Sequence, residues 1–349
     1  MKRESRSYGI GDVQVSRIDE LTLNVFPFEG LYPGADPALL QRHRHRLGPG
    51  SFNSEAGVFT QSIHTWLVRT PRHTILVDTS AGNNKPRPTV PVLDRLNEPY
   101  LQRLADAGVQ PEDVDYVLFT HLHADHVGWN TRLVDGRWVP TFPRARYIMS
   151  VVEHAYNRCL ADSREPEGEG RPVPQLGPCT HTPPPEVYHD SLLPIIEAGL
   201  AEFIKVDGSE FLDGISFLPS PGHSVDHASI RLVSRGEEAL FAGDVMHYPL
   251  QVYEPELNTC FCEFPEAATR SRIWALNHAA ERNALFFSTH FAESSAGYVS
   301  RTGDRFDWRF AGPLTGRKNL RRRHLFLSWR VALDAASLSS SMLFLARRY

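Results

Sequence analysis

Between Phe119 and Gly128 the chain reads Phe-Thr-His-Leu-His-Ala-Asp-His-Val-Gly, which places three imidazoles (His121, His123, His126) and a carboxylate (Asp125) within six residues. No other segment constrains the fold as strongly. Directly before it, Val114-Asp115-Tyr116-Val117-Leu118-Phe119 is a short, mostly apolar run with the character of a buried strand. The polar cluster therefore lies where a strand ends and a loop begins. In an extended segment His121 and His123 project to the same side, one strand period apart, so both can reach one ion. Asp125 and His126 follow a turn and can face a second. Neutral imidazole nitrogens and carboxylate oxygens suit zinc and similar divalent ions, and two ions about 3.5 to 4 Å apart form a hydrolytic arrangement.

One turn cannot complete two metal shells, so the rest of the chain must supply donors. Asp213-Gly214 is a hairpin signal, followed by Ile215-Ser216-Phe217-Leu218 and by Pro219-Ser220-Pro221-Gly222-His223, a strand closing on a Pro-Gly loop with a histidine. Ala239-Leu240-Phe241-Ala242-Gly243-Asp244 is an apolar strand closing on a carboxylate, and Ala284-Leu285-Phe286-Phe287-Ser288-Thr289-His290 repeats the design with an imidazole. Four apolar strands each deliver a donor at the C-terminal end.

These four separated motifs, in this order, resemble those of a metallo-β-lactamase-fold hydrolase over roughly Val13 to Phe310. The resemblance implies an αββα sandwich, two mixed sheets with helices outside. It implies two divalent ions, zinc by analogy: His121, His123 and His223 on the first, Asp125, His126 and His290 on the second, and Asp244 bridging both. Upstream, Ser62 to Val68 and Thr74 to Thr79 read as a strand pair around Pro71-Arg72-His73. Asp78 resembles the acidic residue that supports the metal loop; the bland alternative is a strand-end Asp bonded to nearby amides. Within the superfamily, a His in place of the Glu of H-x-E-x-D argues against a diiron flavoprotein. The presence of Asp244 argues against an antibiotic-cleaving enzyme. The stretch Asp244-Val245-Met246-His247-Tyr248-Pro249-Leu250-Gln251 puts His247 where acyl-homoserine lactonases typically carry a Tyr, and looks closer to the methyl-parathion-hydrolase-like branch. By this resemblance a metal-bridging hydroxide attacks a small ester, lactone, organophosphate or activated aryl substrate. Asp125 orients the hydroxide and His247 stabilises developing charge or protonates the leaving group. Trp129, Tyr248 and Phe52 are expected as pocket walls or as packing. A glyoxalase II-like thioesterase and a noncatalytic metal-bound scaffold are the other readings.

Because the donors spread from 121 to 290 and must meet, the sequence reads as one hydrolase domain over residues 1–316. It carries a loop-rich N-terminal extension (1–58) and a Pro-, Gly- and Glu-rich stretch (162–189) that is either a lid or a plain solvated loop. The aromatics Phe26, Phe28, Tyr32 and Phe52 either border the pocket or a homodimer contact, or fill a satellite core. Apolar spacing from Leu93 to Ala107 predicts a helix in which Pro99 imposes a kink or a fresh start near Asn97. Cys260-Phe261-Cys262 is expected as packed thiols. Residues 317–349 hold eight basic and one acidic side chain, so a formal net charge of −4 conceals an acidic body. That tail reads as an amphipathic partner- or membrane-surface segment, or as an accessory extension. An acidic body does not favour nucleic acid. With 349 residues, 41% hydrophobic and 22% charged, the chain has ordinary globular composition. It shows no membrane span, no secretory signal in its first eighteen residues and too few cysteines for a disulfide framework. A cytoplasmic location and a small-molecule substrate are the expectations.

Overall fold

The computed structural model describes residues 6–313, and the tail predicted from residue 317 onward lies outside the described residues. Strand alternation builds the architecture. In chain order the strands are β1 (Ser7–Ile10), β2 (Val13–Pro27), β3 (Phe52–Asn53), β4 (Val58–Arg69), β5 (Thr74–Val77), β6 (Tyr116–Leu118), β7 (Thr131–Val134), β8 (Arg137–Pro140), β9 (Arg146–Ser150) and β10 (Ala201–Ile204), then β11 (Glu210–Leu212), β12 (Ile215–Pro219), β13 (Ala228–Ser234), β14 (Glu237–Phe241), β15 (Leu285–Phe287), β16 (Ala296–Thr302) and β17 (Arg305–Phe310). One sheet has the order β1-β2-β4-β5-β6-β9-β10, with β3 paired to β4; the other runs β11 to β17 in sequence; β7 and β8 form a separate hairpin. Both large sheets are mixed. The β5-β6, β6-β9 and β9-β10 pairs are parallel in the first, and β14-β15 is the parallel pair of the second.

Each central strand divides its side chains between two cores. Ile75 and Val77 of β5, Leu118 of β6 and Ile148 of β9 meet Ala239 and Phe241 of β14 and Leu285 and Phe287 of β15, forming the layer between the sheets. The intervening residues Leu76, Val117, Tyr147 and Met149 face outward against Tyr100 and Leu104, which lie on the helix Tyr100–Asp106. On the opposite face Leu240 and Phe286 pack on Ala275, Leu276 and Ala279 of the 18-residue helix Pro265–Arg282. This is the expected αββα sandwich.

Local expectations fare unevenly. Asp213-Gly214 makes the β11-β12 turn with φ of 50° and 78°. The helix after Leu93 begins only beyond Pro99, because the proline ring leaves no interior hydrogen bond to a preceding turn; before it stands a single 3-10 turn, Pro91–Leu93. Phe28, Tyr32, Leu40 and Phe59 form a satellite core with Tyr248 and Leu250, with Phe52 packed against it. Of the two neighbouring cysteines, Cys262 is buried and Cys260 exposed, so only one is a packed thiol. Among the described residues no helix is long and apolar enough to cross a membrane.

The sheets and the donor loops are joined by a buried carboxylate. Glu20 accepts hydrogen bonds from Ala81 N (2.7 Å), Gly82 N (3.0 Å) and Trp129 Nε1 (2.5 Å). Burial pushes its carboxyl up to about 7 despite these donors. Beside it the chain crosses itself closely: a Cβ on Gly128 would fall 1.8 Å from Ala81 O. Glu20→Ala leaves three buried N–H groups without a partner, at roughly 1–3 kcal/mol each. Denaturant unfolding of this variant is expected to show a loss of about 3 kcal/mol or more.

Candidate metal centre

The donors arrive where strands stop. β6 ends at Leu118, the chain bends at Thr120, and a short helix, Ala124–Val127, starts after His123 and carries Asp125 and His126. His223 follows β12, Asp244 follows β14 and His290 follows β15. At Asp244 the backbone leaves helical geometry (φ −102°, ψ 25°). Gly243 before it has φ 52°, and a Cβ there would sit 2.4 Å from the His227 ring, so only glycine fits.

All seven residues expected as ligands come together. His121, His123 and His223 form one group of mutually close donor atoms, Asp125, His126 and His290 another, His121, His126 and Asp244 a third, and His223, Asp244 and His247 a fourth. Asp244, 3% exposed, stands at their centre. Its carboxylate lies 2.9 Å from His290 Nε2, 3.3 Å from His126 Nε2, 3.3 Å from His223 Nε2 and 3.2 Å from His247 Nε2. Burial alone would raise the Asp244 carboxyl, but the facing imidazoles, His290 and His126 first, hold it well below the usual carboxylate range. The inward atoms His121 Nε2, His126 Nε2 and Asp244 Oδ1 are buried without a protein hydrogen-bond partner. Such a set of orphaned N and O donors fits a divalent cation and has no comparable purpose as packing.

The outward nitrogens are held. His126 Nδ1–H donates to Asp78 Oδ2 at 2.9 Å, and Asp78 also accepts from Thr120 N (2.9 Å) and Thr120 Oγ1 (2.8 Å). Asp78 thus takes both proposed parts, bonding to an amide and orienting a donor imidazole; its φ of 55° is a strained setting for a non-glycine residue. His121 Nδ1–H donates to Thr120 Oγ1 at 3.0 Å and His290 Nδ1–H to Ser62 O at 2.9 Å.

Three further participants were not picked out from the sequence. Glu263 Oε1 accepts from His123 Nε2–H at 2.7 Å. His227 Nε2 accepts from the Asp244 backbone N–H at 3.0 Å, while His227 Nδ1–H donates to Ser220 Oγ at 2.9 Å. Glu20 braces the loop behind Asp78. For His227 a signal existed: His223-Ser224-Val225-Asp226-His227 is a second dense imidazole and carboxylate run. For Glu263 and Glu20 no spacing points to the site.

Over the donors opens a cavity of about 340 Å³, floored by His123, Asp125, His223, Asp244, His247 and His290. Its walls include Leu23, Phe26, Ile63, Val90, Val92, Leu93 and Phe261, together with His181 to Pro184 of the 162–189 stretch. Phe26 and Phe261 meet edge to face at 5.3 Å. The three aromatics considered for the walls are placed in packing instead. Trp129 stacks on Tyr100 at 5.0 Å beside Glu20. Tyr248 is fully buried with its hydroxyl on Gln61 Oε1 at 3.2 Å, and Phe52 stands against Phe59 at 5.1 Å.

The sequence pattern of the metallo-beta-lactamase superfamily matches residues 59–290, the interval that holds every one of these donors. The chain belongs to the metallo-beta-lactamase superfamily. With that membership and these converging donors, it is a metal-dependent hydrolase. Solved structures of similar fold include a hydrolase of the beta-lactamase superfamily, AbOPH (23% identity, TM-score 0.69, covering 91% of this chain and 100% of that one). AidC, a dizinc quorum-quenching lactonase in complex with a product, gives 18% identity and a TM-score of 0.69 over 89% of this chain and 98% of that one. A probable metal-dependent hydrolase from Staphylococcus aureus gives 18% and 0.65 over 88% and 100%. No curated protein sequence matches significantly. Because a cation binds these metallo-beta-lactamase donors only when the chain is folded, adding zinc to metal-stripped protein should raise its melting temperature. At about 100 times the dissociation constant the gain is about 2.7 kcal/mol, measurable by thermal unfolding with and without chelator.

Proposed function

We propose that this protein is a dinuclear zinc hydrolase acting on a small, uncharged ester, lactone, organophosphate or activated aryl substrate, of the methyl-parathion-hydrolase and lactonase-like branch. The observation that carries this reading is the meeting of two donor groups at one buried carboxylate, Asp244, beneath an apolar cavity. His121, His123 and His223 would hold one ion, Asp125, His126 and His290 the other, and Asp244 both. Bound there, the ions supply an activated water nucleophile and polarise the substrate oxygen under attack.

The residues do the rest. Asp125 has a side chain 20% exposed, far more open than Asp244, and lines the cavity, so it can accept a hydrogen bond from the attacking water and orient it. His247 also faces the cavity. Its ring is locked by parallel stacking on His290 at 5.3 Å, its backbone N–H donates to Gln251 Oε1 at 2.7 Å, and its Nδ1 lies 3.3 Å from Thr259 Oγ1. Its Nε2 lies 3.2 Å from Asp244 at the cavity floor, and once that carboxylate is engaged by cations Nε2–H would be left to meet oxygen where negative charge develops. Among the described residues the cavity walls contain no Lys or Arg. That favours neutral substrates over the anionic glutathione moiety a glyoxalase II-like thioesterase would recognise.

A panel of lactones, aryl esters, phosphotriesters and thioesters on zinc-loaded protein tests the proposal, and turnover is expected on neutral substrates. Asp244→Ala should retain at most one ion per chain by elemental analysis and lose activity. His247→Ala should keep its metal content and lose about 10²- to 10³-fold in kcat, as removal of an oxyanion donor does. Absence of turnover with zinc, manganese and cobalt alike would favour the noncatalytic scaffold.

A further inference from the structure

Each imidazole at the centre has two nitrogens, and its outer partner decides which one faces inward. His121, His126 and His290 face inward by Nε2, since their Nδ1 atoms are held by Thr120, Asp78 and the Ser62 carbonyl. His223 also presents Nε2, 2.9 Å from His123 Nδ1. His123 is therefore reversed: its Nδ1 faces the centre, and its Nε2–H donates to Glu263 at 2.7 Å. Glu263 is 1% exposed, so this contact is shielded from water. Its backbone is tied to the same donor group by an independent bond, because Glu263 N–H donates to the His223 carbonyl at 3.0 Å. The next residue repeats the connection, Phe264 N–H to Gly222 O at 2.8 Å. One residue thus grips His123 with its side chain and His223 with its main chain, across a separation of 100 residues.

Resting on the dinuclear reading above, we infer that Glu263 is the positioning residue of the three-imidazole group: it selects the His123 tautomer with a free Nδ1 and sets the affinity of that ion position without acting on the other. The second position depends on partners other than Glu263, namely Asp78 and the Ser62 carbonyl, and Asp78 also reaches His121 through Thr120 Oγ1. Carboxylates that orient a donor imidazole typically contribute 10- to 100-fold in metal affinity.

The test uses the full chain, stripped of metal and reloaded with cadmium-113. Wild type should show two resonances, one from each donor group. Glu263→Ala should weaken one ion 10- to 100-fold in chelator competition and shift or broaden only the three-imidazole resonance. Glu263→Gln keeps the shape and an acceptor oxygen, and should give a smaller loss at the same position; it carries the test if the alanine variant does not fold. Asp78→Asn, which touches His126 directly and His121 through Thr120, should perturb both resonances, in contrast to the Glu263 variants. Wild-type affinity for both ions and unmoved resonances in folded Glu263→Ala or Glu263→Gln would overturn the inference alone. A wild-type chain that takes up no ion would overturn the dinuclear reading and this inference with it.

Discussion

Asp244 is the residue about which the structure is organised. Placing a carboxylate at 3% exposure among four imidazole nitrogens at 2.9 to 3.3 Å is unfavourable in an apolar interior unless charge is balanced there. The fold reaches this arrangement by ending β6, β12, β14 and β15 at one edge of the sandwich, each in a loop that carries a donor. It is held by a shell of directed bonds in which each outer nitrogen of His121, His123, His126 and His290 has a fixed partner. Buried polar atoms that converge and leave His121 Nε2, His126 Nε2 and Asp244 Oδ1 without a hydrogen-bond partner suit a cation, and the superfamily match agrees with that physical argument.

Much of this was legible in the sequence because strands and donors leave local signatures. Apolar runs such as Ala239 to Phe241 and Leu285 to Phe287 announced buried strands, and a His or Asp at the end of each announced a site at a sheet edge. Glu263 and Glu20 were not legible, since each works by contact across 140 and about 60 residues and sits in surroundings without a motif. For the aromatics the sequence left pocket wall and packing open. Ring chemistry suits a core and a substrate wall equally well: Phe26 and Phe261 pack on the rim of the satellite core and also line the cavity, whereas Tyr248 lies inside that core and Trp129 beside Glu20.

Other buried charges serve the scaffold. Arg87 grips Asp190 with two bonds, at 2.6 and 2.8 Å, and Lys85 donates to the Asp190 carbonyl at 2.8 Å while facing the Trp138 ring at 3.7 Å. Burial pulls the Lys85 ammonium down to about 7. This network ties the start of the segment that supplies Val90, Val92 and Leu93 to the turn Tyr188–Leu192, so one wall of the cavity is fixed by ion pairing instead of by the sheets.

The walls and the donors are carried by different parts of the chain. Leu23 and Phe26 lie on β2, Val90 to Leu93 on a connection, and His181 to Pro184 on a third segment; the proposed ligands occupy 121–126, 223, 244 and 290. Recognition can therefore drift while reactivity stands still: a change of bulk at Leu23 or Val92 redraws the cavity and leaves every donor in place. The exception is the stretch around Phe261, a wall residue two positions from Glu263. There a mutation that admits a new substrate also disturbs the peptide that grips His123 and His223, which makes that short stretch the least free to vary as the enzyme acquires new specificities.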